Sequence, residues 1–305
     1  MKKVGNDTME EYSREEIEEI INQKKTYLEE LEEKDQEYIK LLSDIALLQI
    51  ELGKYKSSEE NLVICLKYFK KHKDRIGEAS VLGILGTLYF KKKEYDESIN
   101  HYREAYEIYK ELKQIDEAIT CLKGIGSSYF KLNKLEKASE VFFDCCDLCS
   151  ETDNIYNFLD CLGNLIRIYE HQEKWDIVYE LYQKTLKTFQ KMNDKRGIIT
   201  SFFNLGIIKK RLKEFGDALN FFKQGTNAAI DSNYSELILK GLSYIGECHF
   251  NLGQQNKAKE RFIEGIRLAN KMGAENARIQ LELLLKTMGL TEKEIKSELK
   301  KEKNK

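Results

Sequence analysis

Residues 82–105 read LGILGTLYFKKKEYDESINHYREA. Leu82, Leu85 and Tyr89 fall at helical spacing on one face of a first segment; Ile99, Tyr102 and Ala105 do so on a second, around a tight turn. The same pattern returns every 40 residues. Steps of 40 from Gly86 reach Ala46, Gly126, Ile166, Gly206 and Gly246. From Leu82 they reach Leu42, Leu122, Leu162, Phe202 and Leu242; from Tyr102, Leu62, Phe142, Tyr182, Phe222 and Phe262. Ser98 belongs with Ser58, Ala138, Val178, Ala218 and Ala258. Six units keep register without an insertion or deletion, so the chain is a repeat array.

Small residues at the Gly86 and Ser98 positions let two helix backbones approach, with larger side chains interlocking around them. The turn is expected to carry an apolar anchor: Tyr55, Tyr95, Leu135, Trp175 and Phe215, then Gln255 in the last unit. One such hairpin cannot bury its apolar face alone. Neighbours must stack, and the stack curls into a superhelix.

Leu82, Leu85, Gly86, Tyr89, Ser98, Tyr102 and Ala105 resemble the tetratricopeptide-repeat (TPR) signature. The usual period is roughly 34 residues, so a strict 40 implies helices longer by about one and a half turns per repeat. That is similar to the long-helix TPR group of Pins-type polarity adaptors, kinesin light chains and Rap-type peptide receptors. The sequence Asp74-Arg75-Ile76-Gly77-Glu78-Ala79 recurs in weaker form at Asp194-Lys195-Arg196-Gly197. The resemblance covers residues 40–272 and implies an all-α fold, a right-handed TPR superhelical solenoid of antiparallel helix pairs. One departure is the absence of proline, which usually closes each repeat; positions such as Lys110 and Gln190 simply continue the second helix.

Three regions are expected. Residues 1–35 hold a disordered start and a capping helix from Thr8 to about Glu33, with Thr8 or Ser13 as its cap and a narrow stripe of Tyr12, Ile17, Ile20, Ile21, Leu28 and Leu31. Residues 36–273 hold six repeats, roughly 36–73, 76–113, 116–153, 156–193, 196–233 and 236–273. Residues 274–305 form degenerate C-terminal capping helices and a charged tail: Lys286 replaces the expected glycine, and Thr291 with Glu294 makes a capping box. The N-terminal helix is read as a cover for the first repeat, the rival being a helix that binds a partner or dimerises.

A net charge of −2 with balanced signs argues against a general nucleic-acid grip. No stretch approaches 18 uninterrupted apolar residues, so no membrane span or membrane partner is expected, and the basic N-terminus lacks the apolar core of a secretory signal. Seven cysteines without disulfide-scaffold spacing point to a reduced, cytoplasmic chain. His72, His101, His171 and His249 are scattered over four repeats, with His249 in the place of a packing tyrosine. With no phosphate loop, HExxH or nucleophile elbow, the chain reads as non-enzymatic, without catalytic residues, metal ligands or cofactors.

The cysteines carry two readings. Cys145, Cys146 and Cys149 fall on the second helix of the third repeat; Cys121 and Cys161 begin the first helices of the third and fourth. Cys145 and Cys149 share a helix face, and stacking could bring Cys161 beside them, a set whose thiolates suit Zn²⁺. Packing is the stronger reading, because Cys145 occupies the small-residue position of Ala105.

By the resemblance, first helices line a concave groove, and Asn164 and Asn204 lie where long-helix TPR proteins hold the backbone of an extended peptide. An amide suits that task by donating and accepting at once; the competing reading is local helix–helix hydrogen bonding. In the same register Lys123, Arg167, Lys210 and Arg211 would make the middle of the groove basic, interrupted by Asp160, Glu170 and Glu247. Phe90 and Phe130, with Phe250, are apolar docking points or inter-repeat packing. The expected function is a scaffold or adaptor that binds a partner's peptide segment in that groove. The alternatives are a Rap-like intracellular sensor of a short signalling peptide and a self-assembling homo-oligomer. The 35 residues before the array are too few for the N-terminal effector module of Rap-type receptors.

Overall fold

Every twentieth residue from Gly53 to Gly273 has a positive φ, between 52° and 74°. Most are not glycine: Lys73, Lys93, Lys113, Asn133, Asp153, Glu173, Asn193, Lys213 and Asn233 all adopt the left-handed conformation. The reason is the way each helix ends. At Lys93 the N–H donates to Phe90 O at 3.0 Å, and the next N–H, of Glu94, reaches back to Tyr89 O at 2.9 Å. This double bond pattern uses up the last free carbonyls of the helix and requires one left-handed residue. It stops the helices without proline, and Lys110 and Gln190 continue theirs as expected.

The structure, a computed structural model, describes residues 13–31 and 35–301. It is all-α, with fifteen helices and no strand among the described residues. These are α1 (Arg14–Glu30), α2 (Gln36–Glu51), α3 (Tyr55–His72), α4 (Arg75–Lys91), α5 (Tyr95–Glu111), α6 (Ile115–Lys131), α7 (Leu135–Glu151) and α8 (Ile155–His171). There follow α9 (Trp175–Lys191), α10 (Lys195–Arg211), α11 (Phe215–Asp231), α12 (Ser235–Asn251), α13 (Gln255–Met272), α14 (Glu275–Thr287) and α15 (Glu292–Lys300). From α4 to α12 every helix has 17 residues and every joint three, so the side-chain pattern repeats every 40 residues but the backbone every 20. The expected turn anchors are therefore not in the turn: Tyr55, Tyr95, Leu135, Trp175, Phe215 and Gln255 each open a second helix. Cys121 and Cys161 do not begin their helices either; both lie mid-helix, since α6 and α8 start six residues earlier.

Within a repeat the two helices lock through their small residues. Ser98 Oγ donates to Gly86 O at 2.8 Å, and Ser58 Oγ to Ala46 O at 2.8 Å, giving two buried hydroxyls a partner on the facing helix. A β-carbon on Gly86 would sit 2.7 Å from the Tyr102 ring; Gly126 faces Phe142 and Gly206 faces Phe222 in the same way. The Asp74–Gly77 sequence and its echo at Asp194–Gly197 serve the joint between repeats. Asp74 and Asp194 cap α4 and α10 by accepting the N–H of Gly77 and Gly197 at 2.9 and 3.0 Å. Those glycines leave room for the rings of Phe69 and Phe189 on the preceding helix.

The chain forms two compact units, residues 1–168 and 169–305, divided inside α8. In the first, α1 lays Ile17 and Ile21 against Ile45 and Leu48 of α2, tied by ion pairs Lys24–Asp44 at 2.9 Å and Lys54–Glu18 at 3.1 Å. Ser13 caps α1 in a capping box with Glu16; Thr8, Tyr12 and the remainder of residues 1–12 lie outside the described residues, as do residues 32–34 and the last four of the tail. In the second unit, α14 and α15 close on α13 through Leu281, Leu285 and Ile295, and Thr291 with Glu294 forms the expected capping box.

Candidate interaction face of the first helices

The helices α2, α4 and α6 touch one another in turn, as do α10 and α12, so first helices form a continuous layer within each unit. Side chains bridge neighbouring first helices within each unit. Lys91 on α4 pairs with Glu51 on α2 at 3.3 Å, Lys123 on α6 with Asp160 on α8 at 2.5 Å, and Lys210 on α10 with Glu247 on α12 at 2.7 Å. Both partners in the last pair are about 30% exposed, and Asp160 is 51% exposed, so these pairs border water and are exchangeable. Lys123 also donates to Asn157 Oδ1 at 3.1 Å. The sequence reading gives a basic strip broken by acids; the structure shows those acids, Asp160 and Glu247, directly on the lysines.

The other anticipated residues fall as follows. Asn164 is half-buried on α8 and donates from Nδ2 to Asp160 O of its own helix at 3.0 Å. Asn204 is half-buried on α10, and Arg167 is exposed on α8. The Arg211 guanidinium stacks 4.4 Å from the centre of the Trp175 ring. Phe90 packs edge-on against Tyr95, ring centres 5.4 Å apart, across the joint of its own repeat; Phe130 is half-buried at the equivalent place on α6. His249 is buried with Nδ1 2.8 Å from Gln254 Oε1, and burial lowers its pKa, which fits the packing role.

One polar cluster escapes the sequence. Tyr89, legible there only as a packing residue, donates its hydroxyl to Glu59 Oε1 at 2.7 Å. Lys92 binds the other oxygen of Glu59 at 3.2 Å and lies over the Tyr89 ring, while His101 stacks on that ring at 5.1 Å. The hydrogen bond from Tyr89 holds the Glu59 carboxyl below its usual range, helped by Lys92, and the same bond with burial pushes Tyr89 up to about 12. Its members lie 30 and 33 residues apart, off the 40-residue register, so no sequence period marks them.

The thiols do converge. The Sγ atoms of Cys145, Cys149 and Cys161 lie within 4.8 Å of one another, all buried, with Cys145 and Cys161 2.9 Å apart. Hydrogen bonds from Cys145 and Cys146 hold Cys161 well below the ordinary thiol range; the same contact, with burial, pushes Cys145 and Cys146 up, and burial raises Cys149 to about 11.

Residues 37–111 and 77–151 match the family model described as tetratricopeptide repeat. A TPR repeat-containing protein of Methanocaldococcus jannaschii is 22% identical over 223 residues, covering 70% of this chain and 36% of that protein. Among solved structures, the apo form of RapI superposes with a TM-score of 0.65 at 16% identity, covering 93% of this chain and 85% of RapI. Aspartyl phosphate phosphatase F from Bacillus subtilis gives 0.53 at 18% identity, with 89% and 79% covered. BtubC (BKLC) from P. vanneervenii gives 0.52 at 17% identity, with 73% and 92% covered. These likenesses establish a shared fold.

Proposed function

We propose that this chain, a tetratricopeptide-repeat protein, is a non-enzymatic scaffold that binds a peptide segment of a partner protein along its first helices. The observation that carries the reading is that ion pairs bridge first helices within each unit, Lys91–Glu51 and Lys123–Asp160 in the first and Lys210–Glu247 in the second. Such pairs contribute little to stability, on the order of 0–1 kcal/mol each. They present alternating charge on a pre-ordered surface, which suits an extended peptide of mixed charge whose acidic side chains compete for the lysines. Asn164 and Asn204 would hold that peptide's backbone, Arg167 and Arg211 its acidic groups, and Phe90 and Phe130 its apolar ones. A cytoplasmic setting fits this role, and no described helix is long and apolar enough to cross a membrane.

A second reading, a sensor of a short signalling peptide, is favoured by the extent of the likeness to RapI, which spans 85% of that chain. Both readings are tested by selecting peptides from a random library on the wild type. Selected peptides are expected to lose at least ~10-fold affinity, about 1.4 kcal/mol, on Asn164→Ala/Asn204→Ala, with the melting midpoint unchanged. Equal binding to both proteins would remove the first-helix layer as the working surface. Conversion between compact and extended forms on peptide addition, seen by small-angle scattering, would favour the sensor over the static scaffold.

A further inference from the structure

We propose that Cys145, Cys149 and Cys161 form a three-thiolate site for a soft, thiophilic metal ion at the crossing of α7 and α8. The argument begins with what stands at these positions elsewhere. Steps of 40 residues from Cys149 meet the large rings of Phe69, Tyr109 and Phe189, then the buried Ala229 and Ala269. Here a small thiol stands in that place. Cys145 shares its place with Cys65, Ala105 and Thr185, and Cys161 with Val81, Cys121 and Ser201. Cysteine serves as packing at two of these positions in other repeats, but only between α7 and α8 do all three positions carry it, so that three thiols meet at a single point.

The geometry is close to that of ligation. A thiolate binds Zn²⁺ at about 2.3 Å, so sulfurs around one ion lie roughly 4 Å apart and never beyond about 4.6 Å. The three Sγ atoms lie within 4.8 Å of one another, so to take an ion the widest pair closes by a few tenths of an ångström and the Cys145–Cys161 pair, 2.9 Å apart, opens by about 1 Å; they come from two helices tied by a three-residue joint. That joint is fixed independently, since the carbonyl of Cys149 accepts the N–H of Asn154 at 2.9 Å. All ligands are sulfur, so the site selects thiophilic ions over Mg²⁺ or Ca²⁺. Cys146 also touches Cys161 but lies outside the group of three. Lys123, which acts on both Cys149 and Cys161, offsets the excess negative charge of three thiolates on a divalent ion. Binding exchanges three S–H bonds for three metal–sulfur bonds and releases up to three protons to solvent, so affinity falls as pH falls. With exposures of 0%, 1% and 0%, the sulfurs are sealed, and the ion enters as α7 and α8 close during folding.

The test uses the full chain, refolded under a non-thiol reductant with Cd²⁺ as probe and Zn²⁺ as competitor. One Cd²⁺ per chain is expected, with a thiolate-to-cadmium charge-transfer band and a melting midpoint raised by about 5 °C. Cys248→Ser, far along the sequence in the second unit, should bind as wild type; Cys149→Ser and Cys161→Ser should lose at least ~100-fold in affinity. Should those variants fail to fold, the wild type alone decides: the ion should block alkylation of Cys145, Cys149 and Cys161 on partial unfolding but not of Cys65 or Cys248. Uptake below ~0.2 ion per chain, equal uptake by Cys149→Ser, or unprotected thiols would each overturn the proposal.

Discussion

The ring of Tyr102 occupies the space a β-carbon on Gly86 would need, 2.7–2.8 Å from three of its carbons. The glycine is therefore a seat for the ring of the second helix. Gly86→Ala should lower stability by about 1–3 kcal/mol as Tyr102 is displaced. Gly83→Ala, three residues earlier with nothing near its side-chain position, should raise it by up to about 1 kcal/mol through helix propensity alone. Opposite shifts in urea midpoints check the pair; two shifts of the same sign would refute the seat.

Lys93 holds φ at 66° because the α4–α5 joint demands it. A side chain there costs about 1–2 kcal/mol that glycine avoids, partly offset by the greater freedom of glycine in the unfolded chain. Lys93→Gly is expected to stabilise by about 0.5–1 kcal/mol and Lys93→Val to destabilise, read from thermal midpoints.

Asp194 gives α10 its first side-chain cap, accepting from Gly197 N–H. Asp194→Ala should cost about 1 kcal/mol and Asp194→Asn much less. A loss confined to charge removal, equal in both variants, would assign the effect to the helix dipole instead.

The Tyr89–Glu59 bond makes stability depend on pH at both ends. Glu59 has a lowered pKa in the folded chain, so its contribution is present above the unfolded value near 4.5 and fades as pH falls through the folded one. Tyr89 is raised, so its contribution is complete below pH 10 and is lost as pH rises toward 12. In Glu59→Gln, tyrosine NMR should show Tyr89 ionising closer to 10, with Tyr102, pushed up by burial, unmoved. Movement of both would mean a general loosening of the first unit.

Much of this architecture can be read in the sequence because it repeats. Gly86, Ser98 and Tyr102 recur at one interval, and the contacts among them are local to a hairpin, so period and size reveal them. The joints were harder. Their left-handed residues are Lys, Asn, Asp and Glu more often than Gly, and a hydrogen-bond pattern rather than a residue type defines them. Ion pairs such as Lys123–Asp160 span 37 residues, three short of the register, because side chains slant across a helix layer. Charge alone made that strip look basic; only the spatial neighbour shows each lysine already matched. The i,i+4 spacing marks Cys145 and Cys149 as neighbours, but the point where they meet Cys161 depends on where α8 crosses α7, which no composition states.

The uniform three-residue joints have a consequence for how such a chain can change its length. Any two joints 40 residues apart are interchangeable in backbone and in side-chain role, so a whole repeat can be excised or duplicated between them and the ends will meet. Joints 20 residues apart match in backbone alone. An exchange there would close without strain yet put a second helix where a first belongs, turning the seat of Tyr102 toward the wrong neighbour. The backbone tolerates steps of one helix, and the side chains restrict viable ones to two.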